Sequence, residues 1–261
     1  MGTRAVDPQS IRNVTIVGEP AETTRVVRRL LRVRGATPAA TMVHQVPGRG
    51  EYTIRVAELS SHAPIAELER AIRVADGAIV VLNAATARAP RFETILRVAD
   101  DHQVARLCLV TGLDHPAADF DRCVRAIAET RGARPLPLHL PLGAGPGFDG
   151  VIDLVPMWAL EPMAAEFYGS RWQLAEQWYR YLVTAVTDQD GEAPDGGPGP
   201  RKIPADQLHD RISSVTRIGE AVPVLCDAAR HGGDNAALLD AIVRYLPSPM
   251  LVCQPEHALD Y

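Results

Sequence analysis

The chain has 261 residues, 46% of them hydrophobic and 23% charged, with a net charge of −5. That length can bury a core large enough for one α/β domain with an insert, and the apolar-to-charged balance is that of a globular rather than a disordered or fibrous protein. The negative balance gives no bulk affinity for nucleic acid, no apolar run reaches the roughly 18–20 residues of a membrane helix, and no secretory leader is recognisable, so a cytoplasmic protein with no membrane partner is expected.

Short apolar runs alternate with helical patterns along most of the chain, the signature of βαβ units around a mainly parallel sheet. Val14–Gly18 reads as a first strand ending on glycine. A helix from Glu22 to Val33 follows, with Val26, Val27, Leu30 and Leu31 on one face. Tyr52–Val56 is a second strand and Ala66–Val74 a helix. Ala78–Leu82 is apolar throughout, as in a strand covered on both faces. Arg91–Asp101 is helical, Ala105–Val110 a strand, Phe120–Thr130 a helix and Pro135–Leu140 a strand.

The rhythm then changes. Val151–Leu160 reads as another strand, and Arg171–Val186 as a long amphipathic helix carrying Trp172, Trp178, Tyr179 and Tyr181. Gly191–Pro200 is rich in Gly and Pro and reads as a mobile loop. Pro204–Ile218 is helical, after which Ala221–Cys226 and Asn235–Tyr245 restore the βα pattern. Residues 157–217 therefore form an insertion before the last βα unit of a domain spanning 1–156 and 218–250, with 251–261 as a tail.

Two compositional features bear on partners and chemistry. Cys108, Cys123, Cys226 and Cys253 are widely spaced, with no Cys-x-x-Cys pair, and are read as structural rather than as a metal or redox set. Arg25, Arg28, Arg29, Arg32 and Arg34 crowd the first helix. They read either as a contact for RNA or an acidic protein, or as a solvated helix face.

Several longer stretches carry a resemblance. Ile11–Val14, Leu68–Val81, Ala118–Val124, Leu140–Ala144, Phe148–Val155, Val222–Cys226 and Tyr245–Pro249 are similar in wording to the G domain of bacterial elongation factor G, a translational GTPase. The segment at 157–217 sits where that family carries its G-prime insertion. The resemblance covers residues 11–250, and the family's later domains have no counterpart in this sequence. It implies a P-loop-NTPase-like α/β fold: a doubly wound, mainly parallel sheet with an α+β insertion.

The nucleotide motifs are where the likeness breaks down. A working phosphate loop surrounds the β-phosphate with backbone N–H groups, places a lysine on the β/γ oxygens and a Ser/Thr hydroxyl on Mg2+. The matching stretch here is Gly18-Glu19-Pro20-Ala21-Glu22-Thr23-Thr24, one residue short and without the second glycine. Glu22 stands about where the lysine belongs, and Pro20 removes an N–H donor. The 27 basic residues include a single lysine, Lys202, far from this stretch. Thr23 or Thr24 would meet a metal only if Mg2+ is retained.

Between the first helix and second strand only the 15 residues Ala36–Gly50 remain, too few for the family's first switch. Glu58-Leu59-Ser60-Ser61-His62 replaces the second switch's Asp-x-x-Gly-His. Glu58 stands for the aspartate, and Ser61 for the glycine whose N–H meets the γ-phosphate. His62 aligns with the histidine that orients the attacking water, a role that needs a bound, metal-neutralised phosphate, so it reads as vestigial. The guanine motif survives as Thr111-Gly112-Leu113-Asp114, keeping only the aspartate. The last motif, near Ala228, has lost its hydroxyl.

Three readings follow. The first is a pseudo-GTPase that takes no cofactor and acts as a translation-associated binding or regulatory protein. The second is a divergent GTPase that binds GTP and Mg2+ by recruiting Arg25 or Arg28 to the phosphates. The third is a scaffold subunit unrelated to ribosomes. Under the first, the resemblance implies a ribosome or ribosomal-stalk-protein contact through 157–217. Trp172 and Tyr179 are then the contact candidates, with Trp178 and Tyr181 packed as core by their spacing of three.

Overall fold

Eight consecutive residues of mostly β-branched character, Ile11–Gly18, form β1 near the middle of the main sheet. The computed structural model describes residues 7–31, 40–86, 91–160, 163, 166, 168–187, 202–228 and 235–252. After β1 come α1 (Pro20–Leu31), β2 (Ala40–Val46), β3 (Gly50–Ser60), α2 (Ile65–Arg73), β4 (Gly77–Asn83), α3 (Phe92–Asp101), β5 (Ala105–Thr111) and α4 (Phe120–Ala128). The chain continues through β6 (Pro135–Pro137), β7 (His139–Pro141) and β8 (Val151–Asp153) to α5 (Ser170–Thr187) and α6 (Ala205–Arg217), and then β9 (Val222–Cys226) and α7 (Ala236–Tyr245).

The seven-stranded sheet runs β2-β3-β1-β4-β5-β9-β6. Every pair in it is parallel except β2–β3, a hairpin registered from Ala40 opposite Val56 to Val46 opposite Gly50. Alternate residues of each central strand feed opposite cores, as the two-residue period of a strand requires. In β4, Ile79 and Val81 join α1, α5, α6 and α7, while Ala78, Val80 and Leu82 join α2, α3 and α4. This is the doubly wound α/β arrangement expected. It brings the carboxyl ends of β1, β3, β4, β5 and β9 to one edge, where such folds bind ligands.

Four elements differ from the sequence reading. The stretch 36–50 holds a strand, β2. Its Met42 packs on the core and its His44 bonds Asp240 of α7 at 2.7 Å, while Val43 faces outward. The run Pro135–Leu140 is split between two sheets: Leu138 N–H donates to Val224 O at 2.9 Å, and Leu138 O accepts from Leu154 N at 2.8 Å. The run from Val151 stays extended only to Asp153, whose side chain accepts from Val155 N at 3.1 Å and turns the chain. Leu154, Val155 and Met157 are still buried, so apolarity there marks core rather than strand. The first helix begins two residues earlier than expected, at Pro20, a residue whose fixed φ suits a helix start.

Cys108, Cys123 and Cys226 are buried, and burial pushes the Cys108 and Cys123 thiols up to about 12, as inert core thiols. Cys253, Arg32, Arg34 and the Gly191–Pro200 loop lie outside the described residues. No helix among the described residues is long and apolar enough to cross a membrane.

Candidate functional site

The carboxyl edge of β1 is built without a loop. β1 ends at Gly18 and α1 starts at Pro20, leaving Glu19 alone between them. Its carbonyl accepts from the N–H groups of both Glu22 and Thr23 at 2.9 Å, closing the first helical turn. Gly18 is required by packing: a Cβ there would lie 2.9 Å from Val81 O and 3.0 Å from Val81 Cβ. Strand, turn and helix are therefore tightly set.

Around this turn the side chains bond one another. Thr23 is fully buried, and its hydroxyl lies 3.1 Å from Glu58 Oε1, reaching across from β3. Thr24 Oγ1 donates to the same carboxylate oxygen. Glu22 accepts from Asn83 Nδ2 at 3.2 Å and pairs with Arg25 at 3.2 Å. His62 Nε2 lies 3.1 Å from Glu19 Oε2 in an exposed pair. The Ser61 N–H, in the place where the resemblance puts a γ-phosphate donor, is given to Gly18 O at 2.8 Å. The Ser61 side chain is buried, and its Oγ has no hydrogen-bond partner.

The structure thus brings Gly18, Glu22, Thr23, Thr24, Glu58, Ser61 and His62 into one cluster. The guanine-side residues sit farther along the same edge. Thr111 ends β5 buried, with Oγ1 unpartnered, and Asp114 and Ala228 are exposed. Sequence reasoning missed Asn83, the polar residue that ends the apolar run of β4. Its side chain bonds Glu22, caps Ala85 N at 2.9 Å, and lies where a Cβ on Gly112 would come within 2.9 Å of its Nδ2. It also missed the tie of Arg29 to Asp227 and Asn235, each at 2.8 Å, which commits that arginine away from the turn.

The residues present do not fit a nucleoside triphosphate. Three carboxylates, Glu19, Glu22 and Glu58, stand around the turn against the two basic partners Arg25 and His62. Pro20 has no N–H, and those of Glu22, Thr23 and Ser61 are spent inside the protein. With Glu22 paired to Arg25 and Glu19 to His62, the oxygens left for a divalent cation are the Thr23 and Thr24 hydroxyls and the Glu58 carboxylate. Mg2+ at such sites depends on substrate phosphates to complete its octahedron.

The proposed contact residues on α5 are placed differently from expectation. Trp172 is 6% exposed and Tyr179 is 0% exposed, so neither is a surface anchor. Their rings stand edge-on to Trp158 at 5.6 and 5.4 Å, and Tyr179 Oη accepts from Ile203 N at 2.9 Å. The buried face of α5 is Trp172, Ala175, Tyr179, Leu182, Val183 and Val186. Tyr181, expected in the core, is 41% exposed and Leu174 is 42% exposed; Trp178 is half-buried and edge-on to Tyr181 at 6.0 Å. Leu174, Trp178 and Tyr181 follow the i, i+4, i+7 spacing of one helix face, but only Leu174 and Tyr181 are exposed, Trp178 packing on both cores between them.

The family model of the elongation factor Tu GTP binding domain matches residues 61–248. That match starts beyond β1, the acidic turn and Glu58. The chain is 32% identical over 209 residues to elongation factor G of Fervidobacterium nodosum, and 34% identical over 210 residues to elongation factor G of Wolbachia pipientis subsp. Culex pipiens. Each alignment covers 77% of this chain but only 30% of the relative. A crystal structure of a protein from Thermus thermophilus shares the fold, with a TM-score of 0.62 at 21% identity, over 92% of this chain and 41% of that one.

Proposed function

The chain belongs to the elongation factor Tu GTP-binding domain family, and on that footing we propose that it is a pseudo-GTPase: a cytoplasmic domain that keeps the fold without guanine nucleotide or Mg2+ and works by binding a partner in translation. One observation carries this most directly. α1 begins one residue after β1 ends, so there is no run of backbone amides to surround a β-phosphate. Glu22, bonded to Asn83 and Arg25, puts negative charge where phosphate oxygens would come. Arg25 is engaged with Glu22, which weighs against its recruitment to a triphosphate; Arg28 is exposed in the cleft beside Pro20 and Thr24 and is the remaining candidate for that rival reading.

The outward face of α5 supports a protein-binding role. Leu174 and Tyr181 are exposed on a helix whose opposite face is core, with the half-buried Trp178 between them and edge-on to Tyr181. Aromatic residues at such faces carry a large share of interface energy. The partner proposed is the ribosomal stalk protein, taking the place first assigned to Trp172 and Tyr179.

Two measurements test this reading. Phosphate release from GTP with Mg2+ is expected to stay at the buffer rate; turnover abolished by His62→Ala would sink it. Capture of purified ribosomal stalk protein is expected from the unmodified chain and at least tenfold weaker from Tyr181→Arg. No capture by the unmodified chain would remove the translation partner and favour a scaffold role elsewhere.

A further inference from the structure

At the amino edge of the sheet, about 20 Å along β1 from the acidic turn at 3.3 Å per residue, the 310 turns Pro8–Ser10 and Pro249–Leu251 pack together beside the β2–β3 turn. They border a cavity of about 580 Å3 that is open to solvent and lined in part by Arg12, Ser248, Tyr52 and Arg49. Arg12 is 8% exposed and Ser248 1% exposed. The Arg12 guanidinium donates to three backbone carbonyls, those of Gln9 (2.9 Å), Ile11 (2.8 Å) and Val243 (3.0 Å), and stands 5.3 Å over the Tyr52 ring.

Among the described residues Arg12 forms no ion pair with a carboxylate, and its Nε has no hydrogen-bond partner; neither has Ser248 Oγ. A buried cation without a counter-charge is costly. Burial accordingly lowers the Arg12 pKa, outweighing the more distant pull of Tyr52 and Asp76. Asp76 is itself bonded to Asn13. Arg49 already lines the cavity, and its one ion pair among the described residues is a long contact of 3.6 Å with an exposed Asp210. Asp7 and Glu51 also line it and bring negative charge, each accepting one hydrogen bond, from Gln9 N and Gln45 Nε2. Their charges set an upper limit on what enters and disfavour a polyphosphate.

We propose that this cavity is a binding site for a small anion, a carboxylate- or phosphate-bearing molecule, whose charge pairs with Arg12 and Arg49 and whose oxygens accept from the Ser248 hydroxyl. Charge-assisted bonds of this kind are the strong ones.

The test is thermal unfolding of the unmodified chain titrated with inorganic phosphate and, separately, with succinate, against chloride at equal ionic strength. A saturable rise in Tm with one of the two names the anion class. Ser248→Ala and Arg49→Ala are each expected to weaken that midpoint about tenfold, whereas Arg97→Ala, on the exposed face of α3, leaves it unchanged. Arg12→Gln abolishes it if the variant folds; the other two variants decide the matter if it does not. No saturable shift with either anion, or an equal shift in Ser248→Ala and Arg49→Ala, overturns the proposal.

Discussion

Replacing Trp172 with alanine separates a core role from a contact role on α5. The ring is 6% exposed and stands edge-on to Trp158 at 5.6 Å, and Trp158 in turn packs on Tyr179 at 5.4 Å and carries Lys202 Nζ 4.4 Å from its centroid. A tryptophan buries roughly 200 Å2, worth about 5 kcal/mol at ~25 cal/mol per Å2. Alanine keeps the Cβ and the neighbours relax in part, so the expected loss is about 3–5 kcal/mol. Urea unfolding monitored by far-UV circular dichroism measures it, and the thermal midpoint should fall by roughly 2–4 °C per kcal/mol. Tyr181→Ala, which gives up an Oη–Pro135 O bond of 3.1 Å from an exposed ring, should cost about 1 kcal/mol. If Trp172→Ala stays within about 0.5 kcal/mol of the unmodified chain, the buried aromatic cluster is not what holds the insertion on the sheet.

Gly18→Ala forces a Cβ to within 2.9 Å of Val81 O, a backbone atom that cannot swing aside, and should destabilise by about 1–3 kcal/mol in the same urea assay. His209, whose Nδ1 lies 2.6 Å from Tyr245 Oη, is held down to about 4 by burial and then by Arg244 and Arg49. Unfolded histidine binds its proton near 6.5. The contribution of His209 is therefore fully present above that pH and lost as pH falls from 6.5 toward 4. Discounted for its part exposure, this amounts to about 1–2 kcal/mol, and His209→Gln should flatten the fall; an unchanged slope would rule it out. Restoring residue types alone, with Glu22→Lys and Glu58→Asp together, should give no saturable GTP binding, because the missing loop amides are not replaced. Recovery of micromolar affinity would make side-chain charge, not loop length, the limiting defect.

Much of the sheet was readable because its strands are covered on both faces. Ala78–Leu82 is apolar throughout, and Ala105–Val110 is apolar but for Arg106, which is buried and bonded to Asp100 and Gly219 O. β2 was not, because its pattern is mixed: Val43 faces solvent while His44 points toward α7 and finds Asp240. Likewise Pro135–Leu140 and Val151–Leu160 are apolar runs that bend. One swaps partners at Leu138 and the other turns on the Asp153 carboxylate, events that no local periodicity records.

At the acidic turn, chemistry could be read residue by residue, since Glu22, Glu58 and Ser61 depart from what phosphate binding needs. The bonds of Glu58 to Thr23 and Thr24, of Ser61 N to Gly18 O, and of Asn83 to Glu22 depend on which strand ends lie side by side. On α5, the spacing of three between Trp178 and Tyr181 pointed to core for both, and Trp178 does pack there while Tyr181 is 41% exposed. The full series Trp172, Ala175, Tyr179, Leu182 and Val186 marks the buried seam, and counting the whole helix rather than one pair would have found it.

Titration of a fluorescent guanine nucleotide in the presence of Mg2+ tests the acid-lined turn most directly. A charge-assisted hydrogen bond to phosphate is worth about 1.5–3 kcal/mol, and a micromolar complex has only about 8 kcal/mol in all, so doing without several of them leaves little affinity. The expected result is a linear, non-saturating signal through the micromolar range, unchanged by Thr24→Val. A saturable curve with a micromolar Kd, abolished by Thr24→Val or by removal of Mg2+, would contradict it.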